Sequence, residues 1–84
     1  MYKIFISATA DHQLRRLDFP QRQRITVAIR KLASNPRPPG KLVKKLVGQE
    51  GYRLRVGDLR ILYSIDDKEM MILIHEVGKR GDIY

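Results

Sequence analysis

The sequence predicts an α+β fold of order βααβββ, an antiparallel sheet with two N-terminal helices packed on one face. Three observations carry this expectation. Residues 2–7 alternate as a strand does, residues 20–34 space their apolar positions as a helix does, and residues 51–63, GYRLRVGDLRILY, read as a tight hairpin. The chain has 84 residues, no internal repeat and no linker-like stretch, so one domain spanning 1–84 is expected.

The elements follow in order. Tyr2, Ile4 and Ile6 alternate with Lys3, Phe5 and Ser7 in the first strand. Ser7 or Thr9 is placed to cap a short helix that carries Ala10, Leu14 and Leu17 on one side. Asp18-Phe19-Pro20 breaks it, and Pro20 suits the first turn of the next helix, where its missing N–H has no helical partner anyway. In that second helix Ile25, Ala28, Ile29 and Leu32 form the apolar stripe, with Arg22, Arg24, Arg30 and Lys31 mostly off it. Residues 35–40 hold three prolines in four positions and must be a loop. Residues 41–46 are compatible with an extended segment or a helical turn.

The hairpin is the most informative stretch. Gly57-Asp58 is a two-residue turn of the type that begins with glycine. That turn pairs Val56 with Leu59, Leu54 with Ile61 and Tyr52 with Tyr63 on one face. The other face pairs Arg55 with Arg60 and Arg53 with Leu62. Like charges directly opposite destabilise a sheet. A polyanion seated on exposed arginines explains them most simply, and a solvated basic face is the alternative. A turn at Asp66-Asp67-Lys68 leads into a last strand at residues 69–77, whose nearly continuous apolar run suits a strand covered on both sides or central in the sheet. Residues 78–84 are expected to be a polar tail.

Composition narrows the function. There are 17 Lys and Arg against 9 Asp and Glu, a net charge of +8, which points to nucleic acid, an acidic protein, or both. With no cysteine, a disulfide framework and a thiolate zinc site are excluded, and a reducing cytoplasm is compatible. MYKIFISATA lacks the apolar core of a secretory signal, and no apolar run approaches a membrane span of about 20 residues. A cytoplasmic protein without a cofactor is expected.

The βααβββ order, the phrase YRLRVGDLRILYSID and the tail VGKRGDIY resemble the RelE/ParE superfamily of toxins over essentially the whole chain, and the RelE branch more closely. The resemblance implies a RelE-like microbial RNase fold and the toxin of a type II toxin-antitoxin system. It implies a ribosome-dependent endoribonuclease, an mRNA interferase that cuts messenger RNA in the ribosomal A site and so inhibits translation. A cognate antitoxin, in a toxin–antitoxin hetero-oligomer, would hold it inactive. By position, the resemblance puts Arg53, Arg55, Arg60, Arg80 and Tyr84 on the active surface; Arg60, Arg80 and Tyr84 are expected to be catalytic, and Arg53, Arg55 and the basic Lys79 beside Arg80 to bind RNA. Some RelE members carry lysines where this chain has Arg53 and Arg55.

The chemistry agrees with those residue types. RNA self-cleavage requires the 2′-hydroxyl to lose its proton and attack the adjacent phosphorus, charge on the phosphate oxygens to be stabilised, and the leaving 5′-oxygen to be protonated. Arginine holds phosphate oxygens with a planar fork and stays charged, so it suits the second task and not the first. Tyrosine near cations has a lowered pKa, so Tyr84 suits proton transfer, or else stacks on a base. His75 is a further acid or base, provided it faces the arginines. A two-residue Asp67-Lys68 turn would pair Arg60 with His75 on the outer face; a three-residue loop would set His75 opposite Leu59 on the core side. His12 and His75 are too far apart in sequence to suggest a metal site, and no metal is expected. Two alternatives remain at this level: a ParE-like toxin that inhibits DNA gyrase without cutting RNA, and an inactive homologue retained as a partner.

Overall fold

The computed structural model describes residues 1–39, 43–48 and 50–79. The elements are β1 (Lys3–Ile6), α1 (Ala8–Arg15), α2 (Phe19–Ser34), β2 (Val43–Lys45), β3 (Tyr52–Val56), β4 (Leu59–Asp66) and β5 (Met71–Lys79). They form one five-stranded sheet in the order β1-β5-β4-β3-β2. The expected α+β architecture is present, with two differences. The ambiguous segment at 41–46 contributes the short edge strand β2, antiparallel to β3. β1 pairs with β5 in parallel, so the sheet is mixed rather than wholly antiparallel.

Both helices begin as their caps dictate. Ser7 Oγ accepts a hydrogen bond from Ala10 N at 3.0 Å, and Asp18 Oδ1 accepts from Gln21 N at 2.9 Å, with Pro20 in the first turn of α2. α1 lies against β5, and α2 crosses β1, β3 and β4. Between helices and sheet Ile25, Ile29 and Leu32 of α2 meet Leu54, Leu59, Ile61, Tyr63, Ile72, Ile74 and Val77. Among the described residues no helix is long and apolar enough to cross a membrane.

The hairpin has the expected register, from Val56 opposite Leu59 to Tyr52 opposite Tyr63. Gly57 has φ 62° and Asp58 does not share its positive φ, as a two-residue turn beginning with glycine requires. The second connection differs from both sequence alternatives. Asp66 pairs with Met71, leaving a four-residue turn at 67–70, with Met70 at φ 55° and Asp66 Oδ1 accepting from Glu69 N. The last strand therefore runs later than expected, to Lys79.

β5 is longer than its parallel neighbour, and α1 compensates. Past Ile74 no β1 residue is left to pair with it. Ser7 N instead donates to Ile74 O at 2.9 Å, Ser7 Oγ donates to His75 O at 2.8 Å, and Val77 N donates to Gln13 Oε1 at 2.8 Å. Backbone groups that would otherwise lie unpaired at a sheet edge are thereby satisfied.

The proline loop is strapped onto the opposite end of the sheet. Tyr63 is buried and its hydroxyl donates to Pro36 O at 2.8 Å. Tyr52 stacks on Tyr63 with ring centroids 5.7 Å apart, and the Arg37 guanidinium lies 5.4 Å from the Tyr52 ring centroid. Arg37 also pairs with Asp67 at 2.8 Å, and Tyr2 OH donates to Asp67 Oδ1 at 2.7 Å. Burial, with the nearby Tyr52, pushes the Tyr63 hydroxyl up to about 12. Hydrogen bonds from Arg37 and then Tyr2 hold the Asp67 carboxyl below the ordinary carboxylate range.

Candidate nucleic-acid interface

The face of the sheet away from the helices follows from strand parity. Because successive side chains alternate, the partners of the core residues define one outward set. Across the strands, this set reads Arg55, Arg60 and Gly78 in one row. The next row is Lys44, Arg53, Leu62 and Glu76. A third runs from Ser64 through Leu73 to Phe5. Arg53, Arg55 and Arg60 therefore share a face as the hairpin reading requires. Lys44 joins them, a residue the sequence reading did not single out because its strand was undecided.

Arg60 departs from expectation. The sequence reading places it with exposed arginines, whereas it is only 6% exposed. It belongs to β4, which is flanked by β3 and β5, and its Nη1 donates to the neighbouring Leu59 carbonyl at 3.0 Å. Its neighbour across the β5 pairing is Gly78, which brings no side chain to that side. Arg53 is half-buried and Arg55 exposed, so the three arginines form a graded surface with one fixed guanidinium at its base.

A bulge in β5 sets the place of His75. The pairing shifts between Leu62 and Tyr63, so that Tyr63 meets Ile74 and Leu62 meets Glu76, with His75 as the extra residue. Ile74 and Val77 are both buried while His75 is exposed and Glu76 half-buried. His75 is therefore neither opposite Arg60 nor opposite Leu59, the two sequence alternatives. It reaches the outer face through the bulge, where its Nε2 shares a 2.8 Å hydrogen bond with Ser64 Oγ. Glu76 lies in the row of Arg53 with Leu62 between them.

Lys79 parts company with the arginines. It pairs with Leu59, whose side chain is in the core, and lines a hollow with Gln13, Arg16, Leu17 and Gln21 at the helix side of the sheet. Arg80 and Tyr84 lie outside the described residues. Among the described residues no group of three or more His, Asp or Glu is placed to hold a metal ion.

Two hollows complete the surface. A groove of about 630 Å³ between α2 and β3 is lined by Val27, Ala28, Leu32, Leu54 and Val56, with Arg24, Lys31 and Arg55 around it. On the outer face, an open hollow of about 830 Å³ includes Phe5, Ser64, Leu73 and His75. Only pairing and register reveal the second, because its residues come from three separate strands.

Comparison with known proteins gives a consistent picture. Residues 4–84 match the family described as the ParE toxin of type II toxin-antitoxin systems, parDE. The chain is 30% identical to the toxin of the archaeal RelE–RelB complex from Pyrococcus horikoshii, with a TM-score of 0.83, covering 96% of this chain and 97% of that one. It is 27% identical to a chain of the RelB–RelE antitoxin–toxin complex from Methanococcus jannaschii, with a TM-score of 0.75 and coverage of 95% and 94%. The isolated RelE toxin of E. coli shares the fold, with a TM-score of 0.81 at 21% identity, over 100% of this chain and 92% of that one. A search among curated proteins gives no match. A matched family that spans nearly the whole sequence, on a sheet and helix arrangement shared with solved RelE toxins, places this chain in the ParE toxin family of the RelE/ParE superfamily, the toxins of type II toxin-antitoxin systems.

Proposed function

We propose that the protein is a ribosome-dependent endoribonuclease that cuts messenger RNA in the A site: the 2′-oxygen loses its proton and bonds to the adjacent phosphorus, the bond from phosphorus to the 5′-oxygen breaks, and that oxygen leaves with a proton taken up from the site or from water, so that a 2′,3′-cyclic phosphate and a 5′-hydroxyl result. One observation carries this reading: Arg55 stands directly opposite Arg60, with Arg53 and Lys44 in the next row of the same face. Like charges set directly opposite one another cost stability, and a bound anion offsets that cost. The arrangement suits a phosphodiester, because guanidinium groups bind phosphate oxygens bidentately.

In this reading Arg60, held in place by burial, stabilises charge developing on the phosphate oxygens. Arg53, Arg55 and Lys44 hold the backbone. Arg80 acts as a second phosphate clamp and Tyr84 takes the 2′ proton. Lys79, on the helix side of the strand end, contributes attraction at longer range. His75 sits three residues from Gly78 along β5, on the order of 8–10 Å away at strand spacing. In this reading it lies beside the reacting phosphate rather than on it.

A cognate antitoxin is the proposed partner, as in the RelE–RelB complexes that the chain resembles. The groove between α2 and β3, apolar within and basic at its margins, suits an amphipathic acidic segment. The second reading, inhibition of DNA gyrase, is favoured by the ParE description of the matched family. Induction in cells separates the two. Primer extension on translated messages should reveal new 5′ ends within codons while gyrase–DNA cleavage complexes stay at background. Intact messages together with accumulated gyrase–DNA complexes would replace the first reading by the second.

A further inference from the structure

The outer hollow contains chemistry that phosphate binding does not use. Phe5 is 48% exposed and Leu73 37% exposed, and they are direct partners across β1 and β5. Leu73 in turn pairs with Ser64, whose hydroxyl is hydrogen-bonded to His75 Nε2 at 2.8 Å.

We propose that this hollow is a nucleobase seat, a specificity-determining subsite for the nucleotide adjacent to the phosphate held by the arginines. The inference rests on the nucleolytic reading above. Arg53 and Ser64 are diagonal neighbours on the β3–β4 pair, about 7–8 Å apart at the backbone. A chain whose phosphate lies on Arg53 and Arg55 therefore brings its next base over Ser64. Phe5 offers a ring face for stacking, which every base accepts. His75 offers an imidazole edge for hydrogen bonding, and the Ser64 bond orients it. Glu50 and Asp66 also border the hollow. Their carboxylates repel a phosphate but accept hydrogen bonds from base amino groups. The arginine rows hold the backbone, and the hollow takes the base.

The test uses ribosomes programmed with messages that differ at one A-site nucleotide at a time, with single-turnover cleavage measured for each. Phe5→Leu keeps an apolar side chain and removes the ring. It should slow every message by about fivefold or more, the lower end of what one base–aromatic stack supports, since every base stacks. His75→Ala should relax preference at one nucleotide position. Arg55→Ala, by contrast, should slow every message alike, because phosphate contacts carry no sequence information. If Phe5→Leu cuts at the wild-type rate and His75→Ala retains the wild-type preference at every position, there is no base seat. If they do so while weakening capture by the cognate antitoxin, the patch is a protein-docking surface and the seat is wrong. A wild-type protein that cuts no message overturns the nucleolytic reading itself, and the seat falls with it.

Discussion

Replacing Arg60 with alanine tests the site and the packing together. The change removes two buried methylenes, worth about 0.8 kcal/mol each, and a hydrogen bond to Leu59 O worth about 1 kcal/mol. It also relieves the like-charge pairing with Arg55, returning roughly 0.2–1 kcal/mol. The net loss is about 2 kcal/mol, which for a domain of this size lowers Tm by roughly 8–16 °C. A small domain with at least about 5 kcal/mol of stability stays more than about 99% folded at 25 °C after that loss. Cleavage should fall by about a hundredfold or more, because one preorganised contact to the developing charge is gone. Circular dichroism melts and single-turnover cleavage on programmed ribosomes at 25 °C read the two effects separately. A folded variant that cuts within about threefold of wild type, against the hundredfold expected, would remove Arg60 from the phosphate. An unchanged Tm would show that the buried guanidinium contributes nothing to packing.

Three further outcomes are expected. If Tyr84 moves a proton, Tyr84→Phe should be nearly as inactive as Tyr84→Ala; if it stacks on a base, Phe should retain most cleavage and Ala should not. Tyr63→Phe loses the bond to Pro36 O and should cost on the order of 1–2 kcal/mol in denaturant titration. Because folding raises the Tyr63 pKa to about 12, its contribution is full below the ordinary tyrosine value near 10 and is lost as pH rises toward 12; the Phe variant should lack that alkaline loss. Folding lowers the Asp67 pKa, so its pairing with Arg37 and Tyr2 contributes above the ordinary carboxylate value near 4 and is lost as pH falls through the lower folded value. Melts should therefore separate wild type from Asp67→Asn at pH 7 and merge them in acid, and a difference that persists in acid would mean the ion pair is not its source.

The hairpin was legible because its turn is chemically explicit. Gly57-Asp58 fixes one register, and each inward residue from Tyr52 to Tyr63 is then determined. The helices were legible through Ser7, Asp18, Pro20 and the stripe at Ile25, Ile29 and Leu32. Residues 41–46 were not, because a three-residue edge strand carries too few positions to show a period. The course of β5 was hidden for a different reason. MMILIHEV is apolar on both faces, so parity leaves little trace, and the turn before it takes four residues with a left-handed Met70 that no glycine announces. The burial of Arg60 is a tertiary fact, set by strand order and by the bare Gly78 beside it rather than by local sequence. Phe5, Ser64 and Leu73 look unrelated along the chain because the parallel pairing that joins β1 to β5 spans most of it.

The bulge at His75 connects the core to the candidate site. Along a regular strand Ile74 and Val77 would face opposite sides, since three steps reverse parity. One extra residue lets both remain in the core, at 0% and 1% exposure, and turns His75 and Glu76 outward in succession. Gly78 then falls beside Arg60 and Leu73 beside Ser64, so the arginine rows and the hollow lie on one continuous face. The bulge also releases backbone groups from the ladder, and the Ser7 hydroxyl at the start of α1 takes up the His75 carbonyl. Ser7 thus serves twice, capping the helix and anchoring the strand irregularity that sets His75 next to Ser64. Binding surfaces built on strands keep their spacing better than surfaces built on loops. Here the spacing between the arginines and His75 is fixed by the same register that fills the core.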